Sequence, residues 1–108
     1  MTLNIHMDRL QLLHNLLAEQ PNDPFLNHAL ALEEIKVGRD DEALRLFESL
    51  LAQNPDYVGS YYHLGKLHER RGDESKAIEV YEQGMNAAKK LGEQHAYNEL
   101  RGAYDNLI

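Results

Sequence analysis

The stretch VGSYYHLGKLHERRGDESKAIEVYEQGMNAAKKL, from Val58 to Leu91, decides the fold. Tyr61, Leu64 and His68 recur one helical turn apart and share a face, while Gly65 leaves room beside that face for a second helix. Gly72 breaks the run. Asp73 can then cap a new helix whose inner face carries Ala77, Tyr81 and Gly84, a small-large-small series suited to interlocking with the first helix. Gly84 inside a helix costs roughly 1 kcal/mol relative to Ala, which points to a neighbour that comes close there. The stretch reads as two antiparallel helices joined by a tight turn.

An aromatic residue, Leu-Gly, a second aromatic position, Ala, an aromatic and a small residue at these spacings resemble the tetratricopeptide repeat. The resemblance implies an all-α chain of about six helices, an antiparallel helix-turn-helix solenoid forming a fragment of a right-handed superhelix. It also implies a recognition scaffold with no enzymatic activity and no cofactor.

Outward from this unit, the same pattern recurs at the 34-residue period of that repeat. Pro21, Asn22, Asp23 and Pro24 form a turn, with Asp23 as N-cap and Pro24 at the first helical position. A helix follows to about Val37, with Leu30 and Ala31 in the Leu-Gly places and Gly38 as its stop. Asp40 or Asp41 opens the next helix, which turns Ala43, Leu44, Phe47, Leu50 and Leu51 inward before Asn54 and Pro55 end it. Asn27 and Glu34 stand where aromatics are usual, and Leu50 where a small residue is.

The chain's two ends resemble half-repeats. From Leu3 to Gln20, Leu3, Met7, Leu10, Leu13 and Leu17 follow helical spacing and Leu12 and Leu16 widen the stripe, so burial over much of the girth is expected. Shifted by 34, Leu10, Leu12, Leu16, Leu17, Ala18 and Pro21 fall on Leu44, Leu46, Leu50, Leu51, Ala52 and Pro55. This leading helix matches a repeat's second helix, and Arg9, in the place of Ala43 and Ala77, is expected to face water. Past a break at Gly92, Tyr97, Leu100 and Tyr104 take the places of Tyr61, Leu64 and His68, slipped by about two residues, in a capping helix with a polar outer side. The segments are then a leading helix over 3–20, repeats over 24–57 and 58–91, and a cap over 93–107, all in one domain.

The composition narrows the function classes. With 108 residues the chain is one small domain, and 43% hydrophobic with 27% charged residues is ordinary for a folded protein. Cysteine is absent, which excludes disulfides and thiolate metal sites and makes no demand for an oxidising compartment. The net charge of -7 disfavours nucleic acid. No apolar run approaches the roughly 20 residues that span a bilayer, no signal peptide is evident, and the cytoplasm is the expected location.

Six histidines invite a metal or acid-base reading, but no pair has the i,i+4 spacing of a helical zinc motif. His63 and His68 are five apart and diverge on a helix, and His68 takes a packing position. Asp40 and Asp41 look like capping carboxylates, Glu33 and Glu34 like a solvated face. No nucleophile or phosphate loop accompanies them, so no metal site and no catalytic residue is expected.

In the family, the first helices of successive repeats line a concave surface where peptides or protein segments bind. Carried over, that surface comprises Phe25, His28, Leu32 and Lys36 from the first repeat and Tyr62, His63, Lys66 and Arg70 from the second. Their own spacing groups each set on a face away from Leu30 and Ala31 or Leu64 and Gly65. A subgroup of the family grips chaperone C-termini with Lys, Asn and Arg. His28, Leu32, His63, Glu93 and Tyr97 hold those places here, so that clamp is absent. The partner expected is a protein or peptide; the alternative is a homodimer formed through Leu12, Leu16 and Ile108 on the terminal helices.

Overall fold

The computed structural model describes residues 5–108, with side chains described from residue 9 onward. The described residues form six α-helices and no strand: α1 (Ile5–Glu19), α2 (Pro24–Lys36), α3 (Asp40–Gln53), α4 (Gly59–Arg70), α5 (Glu74–Leu91) and α6 (Gln94–Asp105). Leu3 and the Met7 side chain, expected on the inner face of α1, lie outside the described residues.

Each boundary has a local cause. Asp23 accepts a hydrogen bond from the Leu26 amide at 2.9 Å, and Pro24 opens α2 where no amide partner is needed. Asp73 caps α5 in the same way, accepting from the Lys76 amide at 3.1 Å. Asp40, Asp41 and Glu42 fill the first turn of α3, where carboxylates meet the positive end of the helix dipole. Gly38 and Gly72 have φ of +82° and +79°, a left-handed conformation that ends a helix at little cost only for glycine.

The 34-residue period extends to individual hydrogen bonds. The Arg39 amide donates to the Glu34 carbonyl at 2.8 Å, and the Asp73 amide to the His68 carbonyl at 2.9 Å. The Tyr61 hydroxyl donates to the Pro55 carbonyl at 2.7 Å, and Asn27 donates its side-chain amide to the Pro21 carbonyl at 3.1 Å. Asn27 thus replaces an aromatic residue yet keeps the tie from the first helix to the preceding turn.

The described residues divide between Leu50 and Leu51 into two compact units. In the first, α1 packs against α2 around Leu10, Leu13, Leu26, Ala29 and Leu30, with Leu16, Leu17, Val37 and Leu46 at the margin. Ala43 and Phe47 of α3 are fully buried. Two sequence expectations need correction here. From Arg9 onward α1 is buried on one side only: α2 covers Leu10 and Leu13 and leaves Leu12 55% exposed. Glu33 and Glu34 are not a solvated face, being 2% and 3% exposed.

Their burial has a specific compensation. Arg9 reaches across from α1 to the Glu33 carboxylate, Lys36 approaches it from one turn on at 3.4 Å, and Arg39 lies 3.1 Å from Glu34. Arg9 is more than half exposed, as expected of its position, but its guanidinium serves a buried anion rather than water alone.

In the second unit, α5 packs against both α4 and α6, and α6 also touches α4. The α4 face of Tyr61, Leu64, Leu67 and His68 is buried, as are Ala77, Tyr81 and Gly84 on α5 and Leu100 and Ala103 on α6. The Tyr81 ring occupies the space that a side chain at Gly65 would need. Gly84 in turn sits against Tyr61: a Cβ there would lie 2.6 Å from the Tyr61 Cβ and 3.0 Å from Leu100 Cδ1. Small residues on each helix accept large ones from the other, which is the interlock expected from the sequence.

Candidate functional site

The eight residues carried over from the repeat pattern fall in two sets, four on α2 in the first unit and four on α4 in the second. On α2, Phe25 is 63% exposed at the start of the helix. His28 and Leu32 follow, both half-buried, with the His28 ring edge-to-face on Phe47 at 5.6 Å between centroids. Lys36 is exposed in the last turn, and its charge is shared with Glu33.

On α4 the set is knit together. The rings of Tyr62 and His63 meet at 87° with centroids 5.7 Å apart. The Lys66 ammonium stands 5.5 Å from the centre of the Tyr62 ring and 3.6 Å from Glu69. Arg70 is exposed in the last turn, near the negative end of the helix dipole. Burial of Tyr61, Leu64 and His68 inside the unit fixes the rotation of α4, and with it the half-exposed position of Tyr62, His63 and Lys66.

Two carboxylates that sequence reasoning did not single out complete this cluster. Glu69 accepts a hydrogen bond from the buried Tyr81 hydroxyl and faces Lys66, so it ties the surface cluster to the helix interlock. Its i,i+3 spacing from Lys66 was visible in the sequence; its bond to Tyr81 depends on the packing of α5. Glu99 of α6 lies close enough to His63 to act on its charge, and no spacing rule links those two positions. The Tyr81 phenol is pushed far up by burial first and by the Glu69 bond second, and stays a donor.

Burial lowers the His63 pKa below its ordinary value of 6.5, and Glu99 opposes that shift without reversing it. In the unfolded chain His63 protonates first as pH falls, so the unfolded state binds more protons and stability drops below about pH 6.5. Replacing His63 by Gln should therefore flatten the loss of urea midpoint between about pH 7 and pH 5 relative to the unaltered protein. Parallel pH profiles for the two proteins would mean that His63 is solvated alike in both states.

A cleft of about 270 Å³ lies where α5 meets α6, lined by Ala88, Lys89, Gly92, Glu93, Gln94 and Tyr97. None of the eight residues lines it. Among the described residues no three of His, Cys, Asp and Glu come together to hold a metal ion, and no helix is long and apolar enough to cross a membrane.

In the second unit, helices locked by small residues against large rings, the first of them presenting a face of half-exposed rings and long side chains, define a helical-repeat scaffold. A family model described as the tetratricopeptide repeat matches residues 34–103, and the chain belongs to that family. The tetratricopeptide repeat domain protein of Salinibacter ruber is 46% identical to it, over 79% of this chain and 94% of that one, with a TM-score of 0.76. A TPR repeat-containing protein of Pseudomonas aeruginosa is 26% identical over 88 residues, which cover 82% of this chain and 84% of the relative. A pre-mRNA-splicing factor of Eremothecium gossypii is 39% identical over 54 residues; these are 50% of this chain but 8% of that much longer protein. Proteins of this fold generally act as non-enzymatic protein–protein interaction modules.

Proposed function

We propose that this chain binds a peptide or protein segment on the faces of α2 and α4 that carry Phe25, His28, Leu32 and Lys36, and Tyr62, His63, Lys66 and Arg70. The observation that carries the reading is the α4 cluster. Tyr62, His63 and Lys66 are held against one another and only half-buried, in a protein whose other α4 rings are spent on packing. Ordered aromatic surface of this kind gives contact area with little loss of side-chain freedom on binding. Lys36 and Lys66 are each shared with a glutamate, so rings and aliphatic stems dominate the contact.

Tyr62→Ala combined with Lys66→Glu should leave the far-UV circular dichroism and urea midpoint close to those of the parent and abolish retention of the partner in affinity capture. Sequencing the retained protein names the partner. Equal retention by parent and double variant would move the site off α4.

A second reading, a homodimer, is favoured by Leu12 at 55% and Ile108 at 72% exposure. Leu16 fits it less well, being packed at the margin of the first unit's core. Static light scattering over a dilution series decides it, since a mass that stays at the monomer value throughout removes the dimer.

A further inference from the structure

The terminal helices are complementary halves of a repeat. Shifted by one period, Leu10, Leu16 and Leu17 of α1 fall on Leu44, Leu50 and Leu51 of α3, which makes α1 a second helix in kind. In α6, Tyr97, Leu100, Ala103 and Tyr104 stand in the places of Tyr61, Leu64, Leu67 and His68, which makes it a first helix. Burial agrees, since Leu100 and Ala103 are buried as Leu64 and Leu67 are. The α6 of one copy and the α1 of another therefore contain the parts of one more repeat.

At two positions these parts do not fit. In the second repeat the helices meet at small residues. Ala43 and Ala77 are fully buried, and at Gly65 the Tyr81 ring fills the space of the absent side chain. The place of Ala43 and Ala77 is taken in α1 by Arg9, and the place of Gly65 is taken in α6 by Arg101. Each arginine is anchored to its own unit, Arg9 to Glu33 and Arg101 to Asp105 at 3.1 Å. Crossing α6 with a second copy's α1 would force both guanidinium groups out of water into a helix contact that the full repeats fill with small residues.

We propose that Arg9 and Arg101 bar the head-to-tail joining of copies of this chain, whose ends otherwise match. Such a junction is heterologous, and unless its rotation closes a ring it propagates into a filament. Glu33 fits the same device: its counterpart one period on is the buried Leu67, and at this position the buried group is instead a carboxylate that holds Arg9.

The test restores the residues of the full repeats at the ends. Two variants are compared with the parent by light scattering over a dilution series: the double Arg9→Ala, Arg101→Ala, and the triple Arg9→Ala, Glu33→Leu, Arg101→Gly. The parent should keep one mass or stop at a dimer, while both variants grow past the dimer mass as concentration rises. The double variant changes two exposed side chains and leaves Glu33 with Lys36, so it decides alone if circular dichroism finds the triple unfolded. Growth past the dimer by either folded variant, with a parent that does not grow, supports the proposal. Absence of growth in every folded variant, or open-ended growth of the parent, overturns it.

Discussion

Tyr81→Ala should lower the free energy of unfolding by about 3 to 5 kcal/mol, the range for removing a fully buried aromatic side chain. The ring is fully buried and stands over Gly65, where α4 has no side chain that could relax into the space left behind. The hydroxyl contributes less. Tyr81→Phe keeps the ring and loses only the bond to Glu69, for about 1 kcal/mol, since Glu69 still has Lys66 and water. The fit between ring and glycine can be isolated by a double-mutant cycle. Gly65→Leu should be costly in the parent and cost less once Tyr81 is alanine, because the cavity accepts the added side chain. Urea unfolding of the four proteins at a common m-value checks this. Equal costs of Gly65→Leu in both backgrounds would show that the ring and the glycine do not share one space.

That interlock was legible in the sequence because it is carried by residue size at fixed spacing. Tyr61, Leu64, Gly65, Ala77, Tyr81 and Gly84 identify one another by alternating large and small along two helices, and α4 and α5 pack as that order requires. Helix ends were equally plain, since Asp23 and Asp73 act through carboxylates that reach an amide three residues on, and Gly38 and Gly72 through their own backbone conformation. What the sequence hid were interactions between residues with no fixed spacing. Glu33 and Glu34 stand one period before the buried Leu67 and His68, but their charge reads as a solvent face. Only the positions of Arg9, Lys36 and Arg39 make their burial tolerable. A helical pattern reports the period of burial but not the presence of a counter-charge from another helix. The same limit explains Leu12, whose apolar character places it on a stripe that α2 is too narrow to cover.

The candidate site divides along the same line. Tyr62, His63, Lys66 and Arg70 could be grouped from i,i+3 and i,i+4 spacing, and in the structure the Tyr62 ring meets both the His63 ring and the Lys66 ammonium. The roles of Glu69 and Glu99 could not be grouped this way, because each depends on a second helix brought alongside. Their effect is to change the character of the surface. The sequence of α4 sets the cations Lys66 and Arg70 beside the rings of Tyr62 and His63. With Glu69 at Lys66 and Glu99 beside His63, the charges are largely answered within the unit, and the exposed rings become its distinguishing chemistry.

Gly84→Leu should destabilise the protein by about 1 to 3 kcal/mol through overpacking, and the contrast with a second helical glycine makes the cause identifiable. On helix propensity alone, replacing either Gly84 or Gly102 should stabilise, by roughly 0.5 to 1 kcal/mol for alanine. Gly102 of α6 has open space where its Cβ would stand, so Gly102→Ala should gain that amount. At Gly84 a Cβ would lie 2.6 Å from the Tyr61 Cβ, an atom tied directly to the α4 backbone, and 3.0 Å from Leu100 Cδ1 of α6. The Leu100 methyl can turn aside, but the Tyr61 Cβ cannot move without shifting α4, so even Gly84→Ala should lose stability, and leucine should lose more. Thermal or urea unfolding of the three single variants should therefore give opposite signs for alanine at Gly84 and Gly102. A gain at both positions would mean that α4, α5 and α6 do not meet as closely as the Tyr61, Gly84 and Leu100 contact requires.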